Sequence, residues 1–162
     1  MDRRLITLIS ASALLAVIVA VVLISGGSDE SSSSADLTDV SVKPTIEAPG
    51  GTAPTELVIN DIVDGTGPAA KDGDKVKVQY VGALFDTGQE FDASWDRGEP
   101  FELTLGGGTV IQGWDQGLVG MKAGGRRELI IPPDLGYGPQ GSPPSIPANA
   151  TLIFVVDMLS IN

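Results

Sequence analysis

Three glycines place the tightest constraint on this chain. In Thr109-Val110-Ile111-Gln112-Gly113-Trp114-Asp115-Gln116-Gly117-Leu118-Val119-Gly120-Met121, the apolar Ile111, Trp114 and Leu118 recur at i, i+3 and i+7, the spacing of one helical face. Gln112, Asp115 and Gln116 take the opposite side, and Gly113, Gly117 and Gly120 form a further stripe. Each glycine inside a helix costs roughly 1 kcal/mol relative to alanine. A stripe of them predicts a helix backbone pressed against a neighbour, most simply a sheet, with Gly120 just past the helix end. Trp114 then has two readings, ordinary core beneath a helix or the floor of an apolar pocket.

The residue inventory narrows the chemistry. The chain has no cysteine and no histidine, which excludes disulfides, thiol nucleophiles, thiolate metal sites and the commonest general base. Net charge is −11, and Arg and Lys do not cluster in the folding part, so nucleic acid is not an expected partner. The acidic balance reads as a soluble surface. From about residue 55 onward the chain has the length of one domain, on the order of 100 residues.

The N-terminal part is organised differently. Asp2, Arg3 and Arg4 precede residues 5–24, which are uncharged and broken only by Thr7, Ser10 and Ser12. A helix of that length spans a hydrocarbon core of about 30 Å. With arginines before it and Asp29-Glu30 after it, residues 1–27 are expected to be an uncleaved signal anchor with the C-terminal part outside the cytoplasm. A cleaved, secreted form is the alternative. Gly27 stands where a lipoprotein signal would carry its cysteine, so no lipid anchor is expected. Residues 28–54, with Ser31 to Ser34 and then Pro44, Pro49, Gly50, Gly51 and Pro54, read as a linker. Within it, Pro44-Thr45-Ile46 is a candidate for packing on the domain.

Strand patterns follow. Residues 57–63 are apolar and β-branched and end in the turn signal Asp64-Gly65-Thr66-Gly67-Pro68. Residues 75–84 alternate, with Val76, Val78, Tyr80, Gly82 and Leu84 on one side. Residues 89–91, 101–105, 126–131 and 151–161 complete five or six antiparallel strands around one short helix, an α+β domain. Residues 132–149 hold six of the eleven prolines. Loops this long in a compact domain are usually functional or disordered.

Several familiar motifs fail on context. Gly136-Tyr137-Gly138-Pro139-Gln140-Gly141 has the glycine spacing of a dinucleotide fingerprint, but Pro139 and the prolines beyond it deny the required helix. Gly106-Gly107-Gly108 lacks a following Lys-Ser/Thr and reads as a turn into the helix. Asp92 and Asp96 are a weak glycosidase pair, and no carboxylate loop pattern supports a metal. What remains is a set of eight aromatics, all between Tyr80 and Phe154, several at strand ends or in loops beside the helix. A concave apolar site without a nucleophile suits a reaction that breaks no bond.

Val78-Gln79-Tyr80-Val81-Gly82, Phe91-Asp92-Ala93-Ser94, Asp96-Arg97 and Pro100-Phe101 resemble successive motifs of the FKBP-type peptidyl-prolyl cis-trans isomerases. Val110-Ile111-Gln112-Gly113-Trp114, Gly124-Gly125-Arg126-Arg127, Ile131-Pro132-Pro133, Tyr137-Gly138, Ile146-Pro147 and Ala150-Thr151-Leu152-Ile153-Phe154 do the same. The resemblance runs from about residue 57 to 162 and implies an antiparallel half-barrel wrapped around one short helix. By motif position it implies a pocket of Tyr80, Phe91, Asp92, Arg97, Phe101, Val110, Ile111, Trp114, Tyr137, Ile146 and Phe154. Trp114 would be its floor and Tyr80, Phe91, Phe101 and Phe154 its walls. The Tyr137 hydroxyl and the Ile111 amide would hydrogen-bond substrate carbonyls. Asp92 has three roles open to it: orienting Tyr80, orienting Arg97, or facing the twisted carbonyl.

The resemblance further implies proline-containing polypeptides as partners, macrolides such as tacrolimus or rapamycin as pocket ligands, no cofactor or metal, and a monomeric domain of bacterial type. Ser142 and Ser145 stand where many relatives carry histidine or a bulky apolar residue, which leaves substrate preference and drug affinity open. The alternative function is a non-catalytic proline-binding chaperone or adaptor on the same fold.

Overall fold

The structure, a computed structural model, describes residues 37–162. The anchor expected over residues 1–27 lies outside them, and among the described residues no helix is long and apolar enough to cross a membrane. Eight strands and two helices follow in the order β1 (Val58–Val63), β2 (Thr66–Ala69), β3 (Lys75–Leu84), β4 (Glu90–Ala93), α1 (Ser94–Arg97), β5 (Phe101–Thr104), α2 (Gln112–Gly117), β6 (Lys122–Ala123), β7 (Arg126–Ile131) and β8 (Leu152–Ile161). The main sheet has six strands in the order β1-β7-β8-β3-β4, with β5 also on β3. β4 pairs with residues 81–83 of β3 and β5 with residues 75–78, so the two short strands share one side of the long one. Every pairing is antiparallel.

The expected half-barrel on one helix is what forms. Val76, Val78 and Tyr80 of β3 face the helix side with Leu129 and Ile131 of β7 and Phe154, Val156 and Met158 of β8. The glycine stripe has the expected cause. A Cβ on Gly113 would lie 2.5 Å from the Ile131 side chain, and one on Gly117 would lie 2.7 Å from Leu129. Both neighbours are fully buried branched residues, so α2 lies against β7 only because these positions carry no side chain.

Gly120 falls past the helix end, as expected. α2 ends at Gly117, and Gly120 sits in the following turn with φ 87°, donating its N–H to the Ala70 carbonyl at 2.8 Å. The helix end is closed instead by Arg127, whose Nη1 donates to the Gly117 and Val119 carbonyls at 2.8 and 3.0 Å while its Nε holds Asp61 at 2.6 Å. At the other end Asp115 accepts the Gly106 and Gly108 N–H groups, both at 3.0 Å. That contact makes the triple glycine a turn feeding the helix.

Three local differences have plain reasons. Thr66–Ala69, read as part of a turn, pairs with β6 as a short second sheet. The strand expected at residues 89–91 runs over Glu90–Ala93, because the turn closes with Leu84 N–H on the Gln89 carbonyl. The proline-rich loop carries 3-10 turns at Pro133–Leu135 and Gly138–Gln140 and a Ser142–Ile146 bridge, so it is shaped throughout.

The outer face of the sheet is also covered. Val81, Ala83, Ile153 and Val155 are buried although they point away from the core that holds α2, so alternation fails over the upper half of β3. Part of the stretch expected to be a linker lies there. Lys43, Pro44, Thr45 and Ile46 line a crevice of ≈ 270 Å³ with Val81, Ala83, Gly88 and Glu90. Beside it Arg126 of β7 and Asp157 of β8 form an ion pair, with Nε to Oδ1 at 2.5 Å and Nη2 to Oδ2 at 2.9 Å. The remaining guanidinium N–H groups donate to the Leu37, Asp39 and Val42 carbonyls at 3.0, 3.1 and 2.9 Å. Burial pushes the Asp157 carboxyl up, against the opposing pull of Arg126.

Candidate active site

The helix side of the sheet opens into a cavity of ≈ 220 Å³ lined by Tyr80, Phe91, Asp92, Phe101, Thr109, Val110, Ile111, Trp114, Tyr137 and Phe154. Each wall has its own origin. β3 supplies Tyr80, β4 Phe91 and Asp92, β5 Phe101, the entry to α2 Thr109 to Trp114, the proline-rich loop Tyr137, and β8 Phe154. Gly82, inward-facing on β3, makes room. A Cβ there would lie 2.6 Å from the Phe154 ring and 2.9 Å from that of Phe91.

Trp114, only 3% exposed, is the hub. Its ring meets Tyr80 at 5.0 Å and 87°, Phe154 at 5.3 Å and 85°, and Phe101 at 6.1 Å and 73°. Phe91 meets Phe154 at 5.6 Å and 85°. These are edge-to-face contacts, the arrangement the ring quadrupoles favour, at about 0.5–1.5 kcal/mol per pair beyond buried area. They lock the rings as a rigid apolar cup.

The polar groups divide into two kinds. Tyr80 Oη donates to Asp92 Oδ2 at 2.5 Å, Arg97 Nη1 donates to Asp92 Oδ1 at 2.5 Å, and Arg97 Nη2 donates to Tyr80 Oη at 2.9 Å. The guanidinium carbon stands 5.6 Å from the Tyr80 ring centroid. Asp92 therefore serves Tyr80 and Arg97 at once, and the network is closed. Burial pushes the Tyr80 phenol up, with the Asp92 hydrogen bond adding to it. Ser94 of α1 secures the frame by accepting the Tyr80 N–H at 2.8 Å and donating to the Gln79 side chain.

The second kind is unpaired. Among the described residues the Ile111 N–H, the Tyr137 hydroxyl and the buried Trp114 Nε1–H have no protein partner. Tyr137 is 41% exposed, and burial of its ring, with the charge of Asp92, pushes its phenol up.

Of the expected set, two residues fall off the wall. Arg97 stands behind it, bound to Asp92 and Tyr80. Ile146 is 4% exposed within the core, because its backbone pairs with Ser142 at 2.9 and 3.0 Å and turns the side chain inward. Thr109 on the lining and Ser94 behind it were not singled out from sequence. Thr109 adjoins Val110, but small hydroxyl residues carry no pattern that marks them. A larger groove of ≈ 490 Å³ continues from Phe101 and Thr109 past Lys75, Lys77, Glu102 and Thr104. Phe101 is the single ring on its lining, so it forms no aromatic cup.

Fold and site together define a class: an antiparallel half-barrel protein with a ring-lined cavity sized for an apolar ring and offering free donors to neighbouring carbonyls, in a chain without cysteine or histidine. Comparison with known proteins agrees. The family model for FKBP-type peptidyl-prolyl cis-trans isomerases matches residues 67–159, and the chain belongs to that family. An FK506-binding protein of Streptomyces anulatus is 54% identical over 120 residues, 74% of this chain and 97% of that protein. A probable FK506-binding protein of Corynebacterium glutamicum is 51% identical over 118 residues, 73% of this chain and 98% of that one. The crystal structure of AtFKBP13 superposes with a TM-score of 0.62 at 38% identity, covering 68% of this chain and 96% of that chain.

Proposed function

We propose that the ring-lined cavity is the isomerase site and that it works by holding the proline ring and its amide away from water. Rotation about a peptide bond crosses about 18–20 kcal/mol, and X-Pro bonds do so unaided over tens to hundreds of seconds. At the top of the barrier the twisted amide has lost its resonance and much of its polarity. An apolar cup therefore favours it over the planar ground state. In this reading Trp114 is the floor and Tyr80, Phe91, Phe101 and Phe154 are the walls, with Val110 at the rim. The Ile111 N–H and the Tyr137 hydroxyl hold carbonyls of the substrate chain, while Asp92 and Arg97 fix Tyr80. One observation carries the reading: partnerless donors, the Ile111 N–H and the Tyr137 hydroxyl among them, lie on a cavity lined mostly by rings.

The reading includes macrolides such as tacrolimus or rapamycin as competing ligands, since they would fill the same cup, and a domain that acts as a monomer. The charge pattern around residues 5–24 supports a membrane tether with the domain outside the cytoplasm, acting on proline-containing chains there.

No proton transfer is required, and this is testable. The chain has no histidine, and both pocket phenols are pushed above their ordinary value. The isomerisation rate constant, measured by exchange NMR on a short X-Pro peptide, is expected to stay flat between about pH 6 and 9. A bell-shaped profile in that window would contradict the mechanism.

A further inference from the structure

The strap on the outer face reaches the back of the site. Residues 37–48 precede the family-matched stretch of 67–159, yet they make specific contacts with the domain. Lys43 Nζ lies 2.9 Å from Glu90 Oε1 and 2.8 and 2.9 Å from the two oxygens of Asp96. Glu90 opens β4 and Asp96 lies within α1. Between them come Phe91 and Asp92 of the pocket wall, and Arg97 follows directly. One ammonium thus clamps both ends of the segment that carries Phe91 and Asp92 and leads into Arg97.

Charge explains why a clamp is needed. Residues 90–97 hold the carboxylates Glu90, Asp92 and Asp96 against the single guanidinium of Arg97. Arg97 is committed to Asp92, so Glu90 and Asp96, drawn to one point, repel each other unless a cation stands between them. Lys43 is that cation, and the strap that brings it is anchored by the three carbonyls on Arg126.

We infer that Lys43 is a positioning residue of the isomerase site, delivered from outside the family-matched stretch by a strap spanning residues 37–48. The inference rests on the pocket being that site. Lys43 touches no substrate; it acts through β4 and α1.

The test uses the full chain with Lys43→Met, Lys43→Arg and the double variant Glu90→Gln/Asp96→Asn. Both ion pairs are partly solvent-exposed, so Lys43→Met is expected to lower kcat/KM on an X-Pro peptide by about 2–5-fold at low salt. Lys43→Arg should restore most of the loss. Raising salt should narrow the gap between wild type and Lys43→Met, because screening weakens both the clamp and the repulsion it offsets. The double variant, which removes the repulsion as well as the clamp, should be far less sensitive to salt. Melting temperatures of all variants should stay close to wild type. The inference is overturned if Lys43→Met matches wild type at low salt, if Lys43→Arg is as impaired as Lys43→Met, or if the loss follows a fall in melting temperature. An inactive wild type would instead overturn the site itself.

Discussion

Replacing Arg126 by alanine is expected to lower the unfolding free energy by about 3–5 kcal/mol. Asp157, 2% exposed, would keep a buried carboxylate without its cation, and the Leu37, Asp39 and Val42 carbonyls would lose their shared donor. Domains of this size are stable by only about 5–15 kcal/mol, so the loss is a large part of the whole. The double replacement Arg126→Met/Asp157→Leu removes both charges and fills the space with apolar atoms. It is expected to be clearly less harmful than the single change. Denaturant midpoints on the three proteins measure the difference. A single variant within about 1 kcal/mol of wild type would show that the pair is not the buried, fully bonded unit described above.

The largest effect on activity is expected at the floor of the cup. Trp114→Leu keeps an apolar side chain beneath the cavity but removes the flat ring that meets Tyr80, Phe101 and Phe154 edge to face. Seating of the proline ring on an aromatic surface is worth about 1.5–3 kcal/mol of apolar burial, and each 1.36 kcal/mol is about tenfold in rate. A loss in kcat/KM of about ten- to a hundredfold is therefore expected, with the circular-dichroism spectrum of a folded domain retained. A folded Trp114→Leu protein with nearly wild-type kcat/KM would remove Trp114 from the floor of the site.

The helix and its sheet were legible because their constraint is local. Gly113 and Gly117 repeat at helical spacing, and the structure shows the Ile131 and Leu129 side chains that demand it. The alternation of Val76, Val78 and Tyr80 marked the inner face of β3 for the same reason. The cup was legible through its aromatics, which are few and fall on elements surrounding α2. Gly120 lies past the helix end as its spacing suggested, in the turn after α2 with φ 87°.

The strap was not legible. Its grip on Arg126 is made by backbone carbonyls, which every residue possesses, across 84 to 89 positions of sequence. Only Pro44-Thr45-Ile46 hinted at packing. Ile146 shows the reverse failure. Its motif position points to the pocket, but the Ser142–Ile146 pairing turns it into the core. Of the three choices that sequence leaves open for Asp92, the structure shows contacts with Tyr80 and Arg97, one oxygen to each at 2.5 Å.

The most direct test of the site is the cis-to-trans rate of a short X-Pro peptide with the protein, measured with and without one equivalent of rapamycin. The account predicts a clear acceleration that the drug abolishes, since both ligands need the cup around Trp114. A folded protein that binds rapamycin without accelerating the peptide would contradict catalysis and leave a proline-binding module. Acceleration that rapamycin leaves untouched would contradict the placement of the site.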